Sequence, residues 1–222
     1  MEGVRIVADR TRRGPLSPDE IVSVAWEMTG GDTDAVSLRD LGARLGVHAT
    51  AVYRHFPDKH ELMCAVADRT LDGLAGVAAD VEDPAEALTA VLVALRARLL
   101  SRPAAARVLA QGPTRRANEV ALTERLLGLL TALGLDGPDA ARGYHALVEL
   151  TVGSAVIDQP VDALGAARAS TYDRWRGDYL ALDAARFPHL TTLAPHLYRG
   201  AGEDFAFAVR LLVEALARRG TR

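Results

Sequence analysis

Between Ser37 and Lys59 the chain gathers side chains suited to contact with a polyanion. Two short helical segments meet at Leu45-Gly46-Val47-His48, where the glycine permits a turn and Leu41, Leu45, Val47 and Val52 can pin the segments together. This is a helix-turn-helix pattern, and its second helix can lie in the major groove of duplex DNA. That helix starts with Ala49 and Thr50, small or polar residues that let the backbone approach base edges. Tyr53, Arg54 and His55 follow where a phosphate oxygen would lie, and Lys59 adds a further cation. Plainer uses exist for each. Tyr53 could be a core aromatic with its hydroxyl at the edge, His55 could pack against the first helix, Arg54 could be a solvated charge and Lys59 a charge that merely decorates a helix start.

Other chemistry finds less support. Cys64 is the single cysteine, which excludes an intrachain disulfide and a multi-cysteine zinc site. It sits in the apolar run Leu62-Met63-Cys64-Ala65-Val66, where a thiol behaves as a small hydrophobe. No phosphate-binding glycine loop, Gly-x-Ser-x-Gly elbow or metal pair on one helix face is visible. The expectation is a protein that is not an enzyme and that carries neither cofactor nor metal.

The elements that must position these residues read as helices throughout. Alanine and leucine dominate the 222 residues, and there are only two Trp, five Tyr and four Phe. No run alternates with period two, so the expected class is all-α. Ser17-Pro18 opens a helix that ends at Gly30-Gly31, Ser37 opens one that ends at Gly46, and a third covers 49–55. Asp58 caps a fourth helix expected to run to about residue 79. Further helices are expected over 84–101, 104–110, 115–133, 138–158 and 203–218, with 160–202 irregular. The division drawn is 1–60, an N-terminal arm and three-helix helix-turn-helix DNA-binding domain, and 61–222, a larger helical ligand-binding and dimerisation domain.

Net charge is −3, so a nucleic-acid surface would have to be local. Residues 1–60 hold eight Arg/Lys and nine Asp/Glu. The arm at 1–15, with Arg5, Arg10, Arg12 and Arg13, reads either as a solvated tail or as a reach toward phosphates. Together with Arg39, Arg44, Arg54 and Lys59 it could form one positive face. The first fourteen residues carry no leader-like apolar run, and no stretch of about 18 apolar residues exists, so no membrane is expected and the cytoplasm is the expected place.

Val36 to Leu62, VSLRDLGARLGVHATAVYRHFPDKHEL, resembles the reader domain of the tetracycline-repressor family of transcriptional regulators. The similarity is strong over 16–65. It is weaker at 97–108, 151–159 and 200–216, which look like the ligand domain of the tetracycline-binding branch. The resemblance implies a homodimer on a two-fold double-stranded DNA operator, most simply a repressor released by a small-molecule inducer. An activator or a ligand-independent regulator of the same fold is the alternative. It assigns Arg39 to a base, His48, Ala49, Thr50 and Ala51 to the groove-facing helix start, and Tyr53, Arg54, His55 and Lys59 to the DNA backbone. Ser37 matches a helix-start residue that can also touch phosphate.

In the larger half the resemblance implies a pocket lined by Val91, Leu95, Leu109, Pro113, Thr123, Leu126, Tyr144 and Val148, with Trp175 closing it. The two long helices 138–158 and 203–218 would form the dimer surface through Leu147, Leu150, Ala155, Phe205, Val209, Leu212 and Leu216. Tetracycline-binding members hold a magnesium–drug complex through a His and a Glu. The matching positions here are Leu109 and Ile157, neither of which can ligate magnesium. A largely apolar inducer without metal is therefore expected.

Overall fold

The computed structural model describes residues 15–30 and 36–220, setting aside the side chains of 161, 162 and 201. The arginine arm lies outside the described residues except for Pro15. Every regular element among the described residues is helical. Helix α1 spans Pro18–Met28, α2 Leu38–Leu45, α3 Ala49–Tyr53 and α4 Lys59–Thr70. The body contains α5 Pro84–Leu100, α6 Pro103–Leu109, α7 Ala117–Ala132, α8 Gly137–Asp162, α9 Arg168–Leu180, α10 Pro188–Leu193 and α11 Ala201–Gly220.

Local chemistry explains the reader's boundaries. Ser17, Ser37 and Asp58 each accept the backbone N–H three residues on, at 3.1, 3.4 and 2.8 Å, satisfying donors that the first helical turn leaves open. Gly46 ends α2 at φ 66°, a left-handed conformation in which Val47 N–H reaches back 2.8 Å to the Gly42 carbonyl. Space matters at Gly42 itself. A Cβ there would stand 2.9 Å from the Val47 carbonyl oxygen and 3.1 Å from the Ala49 nitrogen. Gly42→Ala should therefore push α3 off α2 and cost about 1–3 kcal/mol. An unchanged urea midpoint for that variant would show that the joint yields freely.

Two corrections concern element limits. Helix α4 stops at Thr70 instead of near residue 79, because Gly73 turns the chain at φ 76° and a short 3-10 turn, Leu74–Gly76, follows. The stretch 160–202 is not irregular. It holds α9 and α10, and an aromatic cluster ties α9 to the segment after α10: the Tyr172, Trp175 and Tyr179 rings each lie 5.1 to 6.1 Å from the Tyr198 ring. Arg176 adds a hydrogen bond to the Tyr198 carbonyl at 2.7 Å.

Two cores form. The smaller joins Ile21, Ala25, Leu41, Val52, Phe56, Leu62 and Val66, and it takes in Ala104, Ala105 and Val108 from α6. The larger holds Leu88, Leu92, Leu99, Leu130, Leu147 and Val209 from α5, α7, α8 and α11. Helix α6 serves both: Ala106 belongs to the larger core, and Leu109 packs against each. Arg219, near the end of α11, grips Asp139 at the start of α8 at 2.6 Å, and its hydrogen bonds hold that carboxyl below the usual range.

Candidate nucleic-acid interface and internal cavity

The reader leaves its polar side chains open to solvent. Arg39, Arg44, His48, Thr50, Tyr53, Arg54, His55 and Lys59 are all exposed, while Ala49 and Ala51 are half-buried. Tyr53 keeps 51% of its surface, which removes the core-aromatic reading. His55 stands at a polar cleft with Pro18, Asp19 and Glu61, so it is exposed beside α1 and not packed into it. Ser37 is half-buried and occupied as the cap of α2. His48 caps α3: its Nδ1 accepts the Thr50 N–H at 3.5 Å and lies 3.1 Å from the Thr50 hydroxyl. A backbone N–H only donates, so the neutral ring carries its proton on Nε2 and offers a donor on an exposed side chain.

The reader is clamped to the body at Trp26. The Arg102 guanidinium carbon sits 3.6 Å from the Trp26 ring centroid, and Arg102 donates to the Trp26 carbonyl at 2.8 Å. Trp26 Nε1–H donates to Thr70 on α4 at 3.2 Å. Sequence reasoning missed this clamp, because its partners lie up to 76 residues apart.

A cavity of about 240 Å³ opens between α5, α6, α7 and α8. Leu95, Leu109, Pro113, Thr123, Leu126, Tyr144 and Val148 line it, joined by Leu71, Gly112, Glu119, Leu122, His145 and Val152. Seven of the nine expected residues are thus brought together. The other two are corrections. Val91, fully buried one turn before Leu95, belongs to the core and leaves the wall to its neighbour. Trp175 belongs to the α9 aromatic cluster and packs on Tyr172 and Tyr198. Ile157 lies on α8, 73% exposed in the single chain and away from this cavity's lining. The carboxylate and imidazole on the wall are Glu119 and His145, which the sequence reading did not single out. Among the described residues no group of three or more His, Cys, Asp or Glu is placed to hold a metal.

The cavity wall is fastened to α4. Asp68 is buried, and its carboxylate accepts the N–H groups of Asn118 at 3.3 Å and Glu119 at 2.8 Å, capping α7 from another helix. Two turns earlier on α4, Glu61 takes the Arg116 guanidinium at 2.8 Å. Cys64, between them, is buried with Sγ 3.5 Å from His60 Nε2, and burial followed by the nearby Glu61 charge pushes its thiol up, away from nucleophilic use.

The dimer surface drawn from sequence is largely internal. Leu147, Ala155, Phe205 and Val209 are buried in the chain's own core, and Leu150, Leu212 and Leu216 pack partly against it. Among the described residues, the large apolar side chains exposed on α8 and α11 are Ile157, Phe207 at 63% and Leu211 at 53%.

A short capped helix pair with a glycine joint, set on an all-helical body that encloses a cavity, defines a helix-turn-helix protein of the regulator type. Residues 21–66 match the family model described as bacterial regulatory proteins, tetR family, and residues 79–219 match the tetracyclin repressor-like C-terminal domain. The chain belongs to this family. It is 31% identical over 147 residues to an HTH-type transcriptional regulator of Saccharopolyspora erythraea, a match covering 63% of this chain and 59% of that one. It therefore spans about three fifths of that relative's length. With the class A tetracycline repressor protein of transposon 1721 from Escherichia coli it shares 26% identity over 209 residues, 92% of each chain. The fold is also that of ActR from Streptomyces coelicolor, with TM-score 0.83 at 23% identity over 94% of this chain and 98% of that one. No helix among the described residues is long and apolar enough to cross a membrane.

Proposed function

We propose that the chain is a repressor that binds a two-fold DNA operator as a homodimer and is released when a small, largely apolar molecule occupies the cavity. The observation that carries this is the double fastening of the cavity wall to α4. Pro113 and Glu119 line the cavity, and Arg116 and the start of α7 hold Glu61 and Asp68. Helix α4 packs in the same core as α2 and α3. A ligand that displaces the α7 start thus acts on the helix that carries the reader. Release is expected without a divalent metal, because the wall position that the resemblance pairs with a magnesium-binding His is Leu109.

In this reading Tyr53, Arg54, His55 and Lys59 contact the DNA backbone, Ser37 touches phosphate, and Arg39 with the helix start His48–Thr50 meets base edges. The second subunit seats on α8 and α11, where Leu150, Gly153, Ser154 and Ile157 line a groove with Asp204 and Ala208. Asp204, Phe207, Ala208 and Leu211 follow i, i+3, i+4, i+7 spacing along the same side of α11.

Fluorescence anisotropy with a duplex from upstream of the protein's own coding region tests the reading. Two chains per duplex are expected, with affinity that falls steeply with salt. Tyr53→Phe should weaken all duplexes alike by about 1 kcal/mol. Arg39→Ala should cost about 1–3 kcal/mol on the cognate duplex and relax preference at one position. Equal losses for Arg39→Ala on cognate and scrambled DNA would remove its base-reading role, and no salt-sensitive complex at all would remove the repressor reading.

A further inference from the structure

Three side chains run in line along one wall of the cavity. Tyr144 Oη lies 2.9 Å from Thr123 Oγ1, and Thr123 Oγ1 lies 2.8 Å from Glu119 Oε1. A carboxylate only accepts, so Thr123 commits its single proton to Glu119. The contact between the two hydroxyls is then made by the Tyr144 proton. The second Glu119 oxygen accepts the Arg115 backbone N–H at 3.1 Å. Both hydroxyl protons therefore point along the wall toward the carboxylate. What the wall leaves open to a guest is lone pairs, on the Tyr144 oxygen and on Glu119. The other lining side chains are mostly aliphatic, Leu95, Leu109, Leu126 and Val148 among them. The exception is His145, whose ring meets Tyr144 edge-on with centroids 5.4 Å apart. Apart from that imidazole, Glu119 carries the one ionisable charge among the lining residues.

We infer that the cavity selects an apolar molecule bearing a hydrogen-bond donor, a protonated amine above a hydroxyl, and discriminates against carboxylates. The inference deepens the repressor reading and rests on the cavity being its effector site. An amine placed at this wall makes charge-assisted bonds to a carboxylate already held by Thr123 and the Arg115 amide. A guest carboxylate meets acceptors and a like charge, and it loses its own water without replacement.

Calorimetric titration of the full chain with three matched probes tests this. They are 2-naphthylmethylamine, 2-naphthylmethanol and 2-naphthoate at neutral pH. The amine should bind about tenfold or more tightly than the naphthoate, with the alcohol between them. Glu119→Gln should weaken the amine about tenfold and leave the alcohol within about twofold. Glu124→Gln, exposed on the same helix and off the wall, should change none of the three. Tyr144→Phe gives a second route should Glu119→Gln fold poorly: it should weaken the amine and alcohol and spare the naphthoate. Naphthoate binding as tightly as the amine overturns the donor rule while leaving the cavity a ligand site. Failure of all three probes to bind removes the cavity as the effector site, and the inference with it.

Discussion

Leu211→Glu is expected to split the dimer and to lower affinity for a two-fold operator by about a hundredfold or more. Leu211 is 53% exposed in the single chain, so the substitution should leave the subunit's own stability nearly unchanged. In the dimer the same carboxylate loses its water without a partner, at a cost of several kcal/mol. Two-fold symmetry applies that cost twice, because each patch faces its own copy. Phe207→Glu, one turn earlier on α11, should act the same way. Sedimentation velocity separates the outcomes: a monomer with an intact unfolding transition is expected, and an undisturbed dimer would place the interface elsewhere. Leu212→Glu is a poorer probe, since Leu212 packs on the chain's own core and its loss would unfold the subunit.

Asp68→Ala should be the most damaging single change between the two cores. It strips the acceptor from the N–H groups of Asn118 and Glu119, from the Asn118 amide and from the Thr114 hydroxyl. Losing a helix cap costs about 0.5–2 kcal/mol. Leaving these half-buried donors without an acceptor adds up to about 1–3 kcal/mol. A loss of about 3 kcal/mol should lower Tm by roughly 6–12 °C in a chain of this size. Asp72→Ala, one turn further at an exposed site, should shift Tm by less than about 1 °C. Differential scanning calorimetry of the two variants makes the comparison, and equal shifts would show that Asp68 is not a cap. If the fastening transmits ligand occupancy, Asp68→Ala should also leave DNA affinity less responsive to a cavity ligand.

The reader was legible because its signals are local. Ser17, Ser37 and Asp58 cap helices three residues away, and Gly46 turns the chain beside the residues it serves. Most of the cavity wall followed from the resemblance, since the helices keep their order and phase. The rest depended on distant contacts. Asp68 reads as an ordinary helical carboxylate until α7 arrives 50 residues later. The dimer surface was misjudged because core and interface are both apolar. Only burial tells Val209, fully covered, from Leu211 two residues on. Helix α9 escaped notice because it lacks an aliphatic stripe. Its aromatic residues Tyr172, Trp175 and Tyr179, at i, i+3 and i+7, were the available signal. Glu119 and His145, which line the wall, went unremarked.

If the cavity and the reader bias one helix, their ligands must oppose each other by equal factors, because binding linkage is reciprocal. The direct measurement takes the upstream duplex and 2-naphthylmethylamine, with EDTA present throughout. The DNA dissociation constant is read by anisotropy with and without saturating amine, and the amine constant by calorimetry with and without saturating DNA. Both should weaken by the same factor, about 5–150-fold, with the chelator present. Amine that occupies the cavity while DNA affinity stays unchanged, or release that appears only when magnesium replaces the chelator, would contradict a metal-free switch running from the cavity through α4 to the reader.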